Sequence, residues 1–296
     1  MSSLIIIRNI SVEYANAVAG LTYGFPAITS FLGFTHALSL KVDAAHGVTL
    51  TETGVIAHSV NVLASGQYEK LFHQTRNPLT KNAATAPFNE EGKMHMTVTL
   101  LIKCGGEIFG DAGADRLAGD VERLAAEMRL AGGTITGIEN VQVMAFPDGS
   151  KAKRVVRSLL PGFALVDAPD YLTENGDQIG DWLDVAAIEY AAGEPVDGKA
   201  VWERVLRGTP GYLVPITIGF RAVSELHAPG VITESRDSRY PFAFVEPVHG
   251  VGEWKSPHRF TDLSQMLWRY ESAPGYYLCK QTAPALAESD FDDIDY

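Results

Sequence analysis

At 296 residues with 46% hydrophobic and 20% charged side chains, the chain holds apolar material for one large or two small globular domains. Cys104 and Cys279 are its two cysteines, which excludes a disulfide framework or a four-thiolate metal site; with no secretory leader, the expected location is the cytoplasm. The net charge of −12 collects in residues 162–200, with one basic and nine acidic residues, and in 288–296, with five acids; residues 1–161 carry 14 of each sign and can still turn basic patches toward a polyanion.

In chain order, Leu4 to Tyr14 predicts a strand, and its run Leu4–Ile7, stopped by Arg8, is too short to span a membrane. Pro26 opens a helix, capped by Thr29 or Ser30 and reaching about Leu40, with Phe31, Phe34 and Leu38 on one face and Gly33 and Ala37 admitting a close neighbour. His36 on that helix is expected to be a satisfied core histidine. Gly54–Leu63 and His95–Lys103 have strand character, and the polar stretch Gln67–Lys93 between them predicts a long β-hairpin, about 64–95, whose tip projects from the body. Gln74, Arg76 and Asn77, planar hydrogen-bonders beside the rigid Pro78, make that tip a candidate binding element. His95 faces away from Met94 and Met96, so the three are not a soft-metal site.

Asp115–Leu130 predicts an amphipathic helix on Leu117, Val121, Leu124 and Met128, stopped by Gly132-Gly133, with a strand over Thr134–Met144. Gly132 and Gly133 are a candidate loop for close approach of a ligand. Strand, helix and strand alternate here without a dinucleotide-binding glycine signature. Lys151 to Arg157 (KAKRVVR) predicts a helix that gathers Lys153, Arg154 and Arg157 on one face, suited to phosphate. An acidic helical insertion is expected over 167–208, with Trp182, Leu183, Ile188 and Trp202 buried.

Gly211–Val223 and Phe242–Val248 are β-like, Asp262 can cap a helix reaching Tyr270, Tyr276–Lys280 can close the sheet, and 282–296 is an acidic tail. His249 to Arg259 (HGVGEWKSPHR) concentrates the chemistry of nucleic-acid binding. Gly250 and Gly252, read as a turn, let backbone amides come close to a ligand; Trp254 offers a stacking face; His249, Lys255, His258 and Arg259 supply donors.

GFPAITSFLGFTHAL (24–38), RNPL (76–79), MRLAGGTI (128–135), LLPGFALV (159–166), GYLVPI (211–216) and GEWKSPHR (252–259) resemble, in order and spacing, the second Csy subunit of the type I-F CRISPR surveillance complex, a Cas-five-type RAMP protein. The resemblance covers about residues 4–280 and implies an α+β, RRM-like or ferredoxin-like RAMP fold over 1–281 with a projecting β-hairpin thumb. It further implies a non-catalytic subunit that caps the five-prime handle of the guide RNA. Its implied partners are the large Csy subunit, as a heterodimer, and the backbone-forming Csy subunit, with target double-stranded DNA reached through the assembled complex. No cofactor and no metal are implied, and guide pairing, not this chain, reads the target sequence.

The RNA-contacting residues expected are Gln74, Arg76, Asn77, Gly132, Gly133, Arg154, Arg157, His249, Gly250, Gly252, Trp254, His258 and Arg259. Two alternatives stay open: a metal-independent RAMP endoribonuclease using His249 and His258, and a small-molecule enzyme with a glycine-lined pocket. Metalloprotease, P-loop and nucleophile-elbow signatures are missing from the sequence.

Overall fold

The structure, a computed structural model, describes residues 2–66, 70–76, 78–172, 177–187, 189–195, 197–205, 211–235 and 237–281, with Thr75 and Arg76 described as backbone only. In chain order the elements are β1 (Ser3–Asn16), the short pair β2 (Val18–Ala19) and β3 (Thr22–Tyr23), α1 (Ile28–His46), β4 (Thr49–Ser65), β5 (Leu71–Arg76), β6 (Phe88–Glu91), β7 (Lys93–Gly105), α2 (Gly110–Ala126), β8 (Arg129–Leu130), β9 (Gly133–Gly137) and β10 (Asn140–Ala145). There follow α3 (Gly149–Ser158), β11 (Phe163–Asp167), α4 (Gln178–Ala186), β12 (Tyr190–Ala192), β13 (Trp202–Arg204), β14 (Leu213–Ala222), β15 (Val245–Lys255), β16 (Leu267–Ala273) and β17 (Tyr276–Gln281).

The first half is a β-α-β-β-α-β unit, β1-α1-β4-β7-α2-β9, whose strands stand side by side in the order β4-β7-β1-β9 with every pairing antiparallel. Leu4 to Ile7 is apolar without alternation because both faces of β1 are covered. Ile5 and Ile7 join the core formed with α1 and α2, while Leu4 and Ile6 join the one formed with α3. β1 shifts register between Ile7 and Ile10 and again between Val12 and Ala15, where Asn9 (φ 44°) and Tyr14 (φ 55°) take left-handed conformations. These bulges bend the strand so that its first half pairs with β10 and its second with β9. The single strand expected over Thr134–Met144 is therefore two.

The second half closes on itself. β11 pairs with both β15 and β4, and β16 also pairs with β4, so that β4-β16-β17-β14-β15-β11 form a ring that shares β4 with the first sheet. Trp268, fully buried, donates its indole N–H to the Leu165 carbonyl at 2.8 Å and ties β16 to β11. Three close backbone approaches shape the ring. A Cβ on Gly54 would stand 2.9 Å from the Met266 carbonyl oxygen, one on Gly219 would stand 2.1 Å from that of Tyr277, and one on Gly252 would stand 3.1 Å from that of Val166.

Several local expectations change in context. α1 begins at Ile28 with Ala27 at its N-cap and no side-chain cap, and it continues past Leu40 until Gly47, left-handed at φ 63°, turns the chain and donates to the Asp43 carbonyl. Burial of Val42 extends the apolar face that begins at Phe31. His36, expected in the core, is exposed. α2 ends at Ala126 because Arg129 and Leu130 pair with Thr134 and Gly133 as strands.

The β4–β7 pairing ends at Leu63 opposite Lys93; beyond it β5 adds to the end of β4, and β6 pairs with β5 as a separate hairpin. Among the described residues of 167–208 the helical ones are Pro169–Leu172 and α4, whereas β12 and β13 form a hairpin. Trp182 is half-buried there, Leu183 and Trp202 are exposed, and Ile188 lies outside the described residues, as does the acidic tail 282–296. Asp262 does cap, in a capping box with Gln265, but the helix is one turn, Leu263–Met266, before β16 takes over.

Candidate nucleic-acid interface

α3 is held to the body by Ala152, Val155 and Val156 on one side, which leaves Lys151, Lys153, Arg154 and Arg157 exposed on the other. The helix packs against the one-turn helix Pro257–Arg259, which follows β15 and carries the exposed His258 and Arg259. Tertiary packing thus joins two basic segments about a hundred residues apart in sequence into one surface. Among the described residues none of these five Lys and Arg side chains has a carboxylate within ion-pair distance. A row of cations without ion-pair partners among the described residues keeps its charge available to an external polyanion. His258 Nδ1 lies 2.8 Å from the Ser256 hydroxyl, which orients the ring at the edge of this face.

The rest of the 249–259 segment behaves differently from the expected turn. It is strand β15 as far as Lys255, and Gly250 and Gly252 sit in its ladder opposite Ile216 and Val214. A Cβ at Gly250 would meet the Ile218 side chain at 3.2 Å, and one at Gly252 would meet Ile216 at 3.0 Å. The two glycines therefore permit close packing inside the ring. His249 Nε2 accepts the Leu21 backbone N–H at 3.1 Å, its ring rests against Trp182 at 5.4 Å, and burial pushes its pKa down, so the neutral ring with the proton on Nδ1 serves the fold. Lys255 is paired with Glu253 at 3.0 Å.

The remaining candidates are dispersed. Gly132, left-handed at φ 77°, forms an open turn whose carbonyl accepts from Arg129. A Cβ on Gly133 would stand 2.7 Å from the Glu13 carbonyl oxygen, so this glycine admits the neighbouring strand β1. Both lie at the β9 side of the sheet, away from β15 in the strand order. Gln74 is exposed on β5 opposite Glu90; Arg76 ends that strand opposite Phe88 with its side chain outside the description, and Asn77 lies outside the described residues.

Trp254 is half-buried, with its ring edge-on to Phe25 at 4.9 Å, and both line a cavity of about 540 Å³ together with Phe163 and Tyr212. The cavity meets a second depression, a polar cleft of about 630 Å³, at His58 and Ser59. His58 is fixed between the Pro161 carbonyl, 2.6 Å from Nδ1, and the Thr99 hydroxyl, 2.8 Å from Nε2. Arg8 lines the cleft and donates to the Ser158 carbonyl and hydroxyl at 3.0 and 2.8 Å, at the C-terminal end of α3. Sequence reasoning passed over Arg8, Phe25, His58, Phe163 and Tyr212. The pairing of Arg8 on β1 with the end of α3 leaves no local trace, and single aromatic residues in strand-like text read as core.

No helix among the described residues is long and apolar enough to cross a membrane. A family model described as "CRISPR-associated protein (Cas_Csy2)" matches residues 5–279 of the chain. The CRISPR-associated protein Csy2 of Pseudomonas aeruginosa (strain UCBPP-PA14) is 33% identical over 318 aligned positions, which cover 97% of each protein.

Proposed function

The chain belongs to the Csy2 family of CRISPR-associated proteins, and from that membership we propose that it is a non-catalytic, RNA-holding subunit of a type I-F interference complex. In this reading it grips the five-prime handle of the guide RNA, pairs with the large Csy subunit and contacts the backbone-forming subunit, and double-stranded target DNA is met through the assembled complex. The order β4-β7-β1-β9 in a β-α-β-β-α-β unit supports a ferredoxin-like, RRM-type RAMP body, with β5 and β6 at the tip of a thumb.

The observation that carries the proposal is the exposed face of α3 and the Pro257–Arg259 turn. Its five Lys and Arg residues, with no ion-pair partner among the described residues, gather positive charge at one place on a chain that is acidic as a whole. Phosphates bound there release counterions, so affinity falls as salt rises, by about 0.7 in log-log slope per single-strand phosphate neutralised. In the assembled complex the double substitution Arg154→Glu with Arg157→Glu is expected to weaken guide-RNA binding at least roughly tenfold and to flatten the salt slope by more than one contact. An unchanged slope and affinity, read by filter binding across a salt series, would place the RNA elsewhere.

A further inference from the structure

The aromatic cavity beside Trp254 and the polar cleft beside Arg8 are adjacent, share His58 and Ser59 as their common rim, and differ sharply in chemistry. The cavity is apolar and aromatic, yet it stands open: Tyr212 is 70% and Phe163 54% exposed at its mouth. Rings left in water at a cavity mouth mark a place that a flat apolar group can cover. The cleft holds the opposite kind of group. Arg8 is partly buried and has no carboxylate within ion-pair distance among the described residues, and its bonds to Ser158 and Gln142 leave guanidinium donors unused. Asn140 Oδ1 in the same cleft is a buried acceptor with no partner among the described residues. The Ser59 hydroxyl on the rim and the Tyr212 hydroxyl at the cavity mouth are likewise without a hydrogen bond there.

A ligand that satisfies all of this has an apolar planar end, hydroxyl donors in the middle and an anionic end. We propose that cavity and cleft together seat one unstacked nucleotide of bound RNA: the base enters between Tyr212 and Trp254, the ribose hydroxyls cross the Ser59 rim toward Asn140, and the phosphate lies at Arg8. Glu139, tied to the Asn9 side-chain amide, lines part of the same cleft and acts electrostatically on Arg8 from beyond ion-pair distance, so a phosphate at Arg8 competes with that carboxylate. The basic face leads there directly. α3 ends at Ser158, and Ser158, Leu160 and Pro161 form a wall of the cleft, so a strand running along Arg154 and Arg157 arrives at Arg8. This inference rests on the RNA-holding reading and adds where a base is taken out of the stack.

The test uses the assembled complex loaded with guide RNAs that carry 2-aminopurine, or an abasic site, at one position at a time. One position is expected to show an emission distinct from its neighbours, and Val60→Trp, which plugs the rim from an exposed strand position lining the cavity, is expected to abolish that difference. Tyr212→Ala is expected to weaken RNA binding roughly tenfold, the size of one lost base–aromatic contact, and to add nothing when that same position is abasic. RNA that binds with no position sensitive to either variant overturns the nucleotide seat while leaving RNA holding intact. Loss of a protein subunit on Val60→Trp, with RNA retained, overturns it in favour of a partner side chain in the cavity. Wild-type complex that carries no RNA at all refutes the RNA-holding reading itself. Thermal melts of the variants, both at exposed positions, separate these outcomes from misfolding.

Discussion

The sheet built on β1, β4, β7 and β9 and the ring built on β11 and β14 to β17 share one strand and are stabilised in different ways. In the sheet, side-chain volume fills the space: Ile5, Ile7, Val98 and Leu100 meet Phe31, Leu38 and Val121 of the two helices with essentially no exposure. In the ring, missing side chains matter as much, because Gly54, Gly219 and Gly252 let backbones approach to distances a Cβ would forbid. The segment between β14 and β15 also leaves Val223, Leu226, Val231, Tyr240 and Phe244 exposed. The lesson is that the two halves fail in opposite directions: removing atoms is the more damaging change in the sheet, and adding atoms is the more damaging change in the ring.

That contrast can be broken or sharpened by four measurements of stability, taken from the largest effect to the smallest. Gly219→Ala places a methyl 2.1 Å from the Tyr277 carbonyl oxygen and is expected to cost at least about 4 kcal/mol, since β14 must leave β17; a denaturant midpoint close to wild type would dissolve the distinction. Leu100→Ala in the sheet empties a fully buried site and should cost about 3 kcal/mol by the same titration.

Asp167, at the ring's β11, has its pKa pushed up to about 6, chiefly by burial. Raised above its unfolded value of about 4, it binds a proton more readily in the native state, so stability falls as pH rises from about 4 to 6 and stays lower above that. Asp167→Asn should therefore raise stability by about 2 kcal/mol at pH 7 and by nothing below pH 4, which a pair of melts at the two pH values decides. Gly33→Ala makes the same chemical change as Gly219→Ala but in open space on α1, and it should stabilise by about 0.5–1 kcal/mol through helix propensity; a loss there would show that the sheet half is also limited by crowding.

Much of the sheet half was legible in the sequence because its signals are local. The uninterrupted Leu4–Ile7 run announced a strand, the spacing of Phe31, Phe34 and Leu38 and of Leu117 and Val121 marked the faces of α1 and α2, and KAKRVVR declared an amphipathic basic helix whose polar face is exposed. The candidate site was legible only in pieces. Arg154, Arg157, His258 and Arg259 were identified from residue type, whereas the glycines of 249–259 were assigned to a turn because a glycine that opens a loop and a glycine that admits a neighbouring strand look the same in one dimension.

The sequence by itself determined the mixed α+β class, the buried first strand, the basic helix and, through six ordered blocks, the family. Tertiary structure alone decided that β11 closes a ring onto β4, that Pro257–Arg259 lies against α3, and that the cavity at Trp254 and Tyr212 and the cleft at Arg8 share His58 and Ser59. The reason is physical: periodicity, capping and turn chemistry act over a few residues, while ring closure and the meeting of distant side chains depend on which backbones can approach, a property of the packed whole.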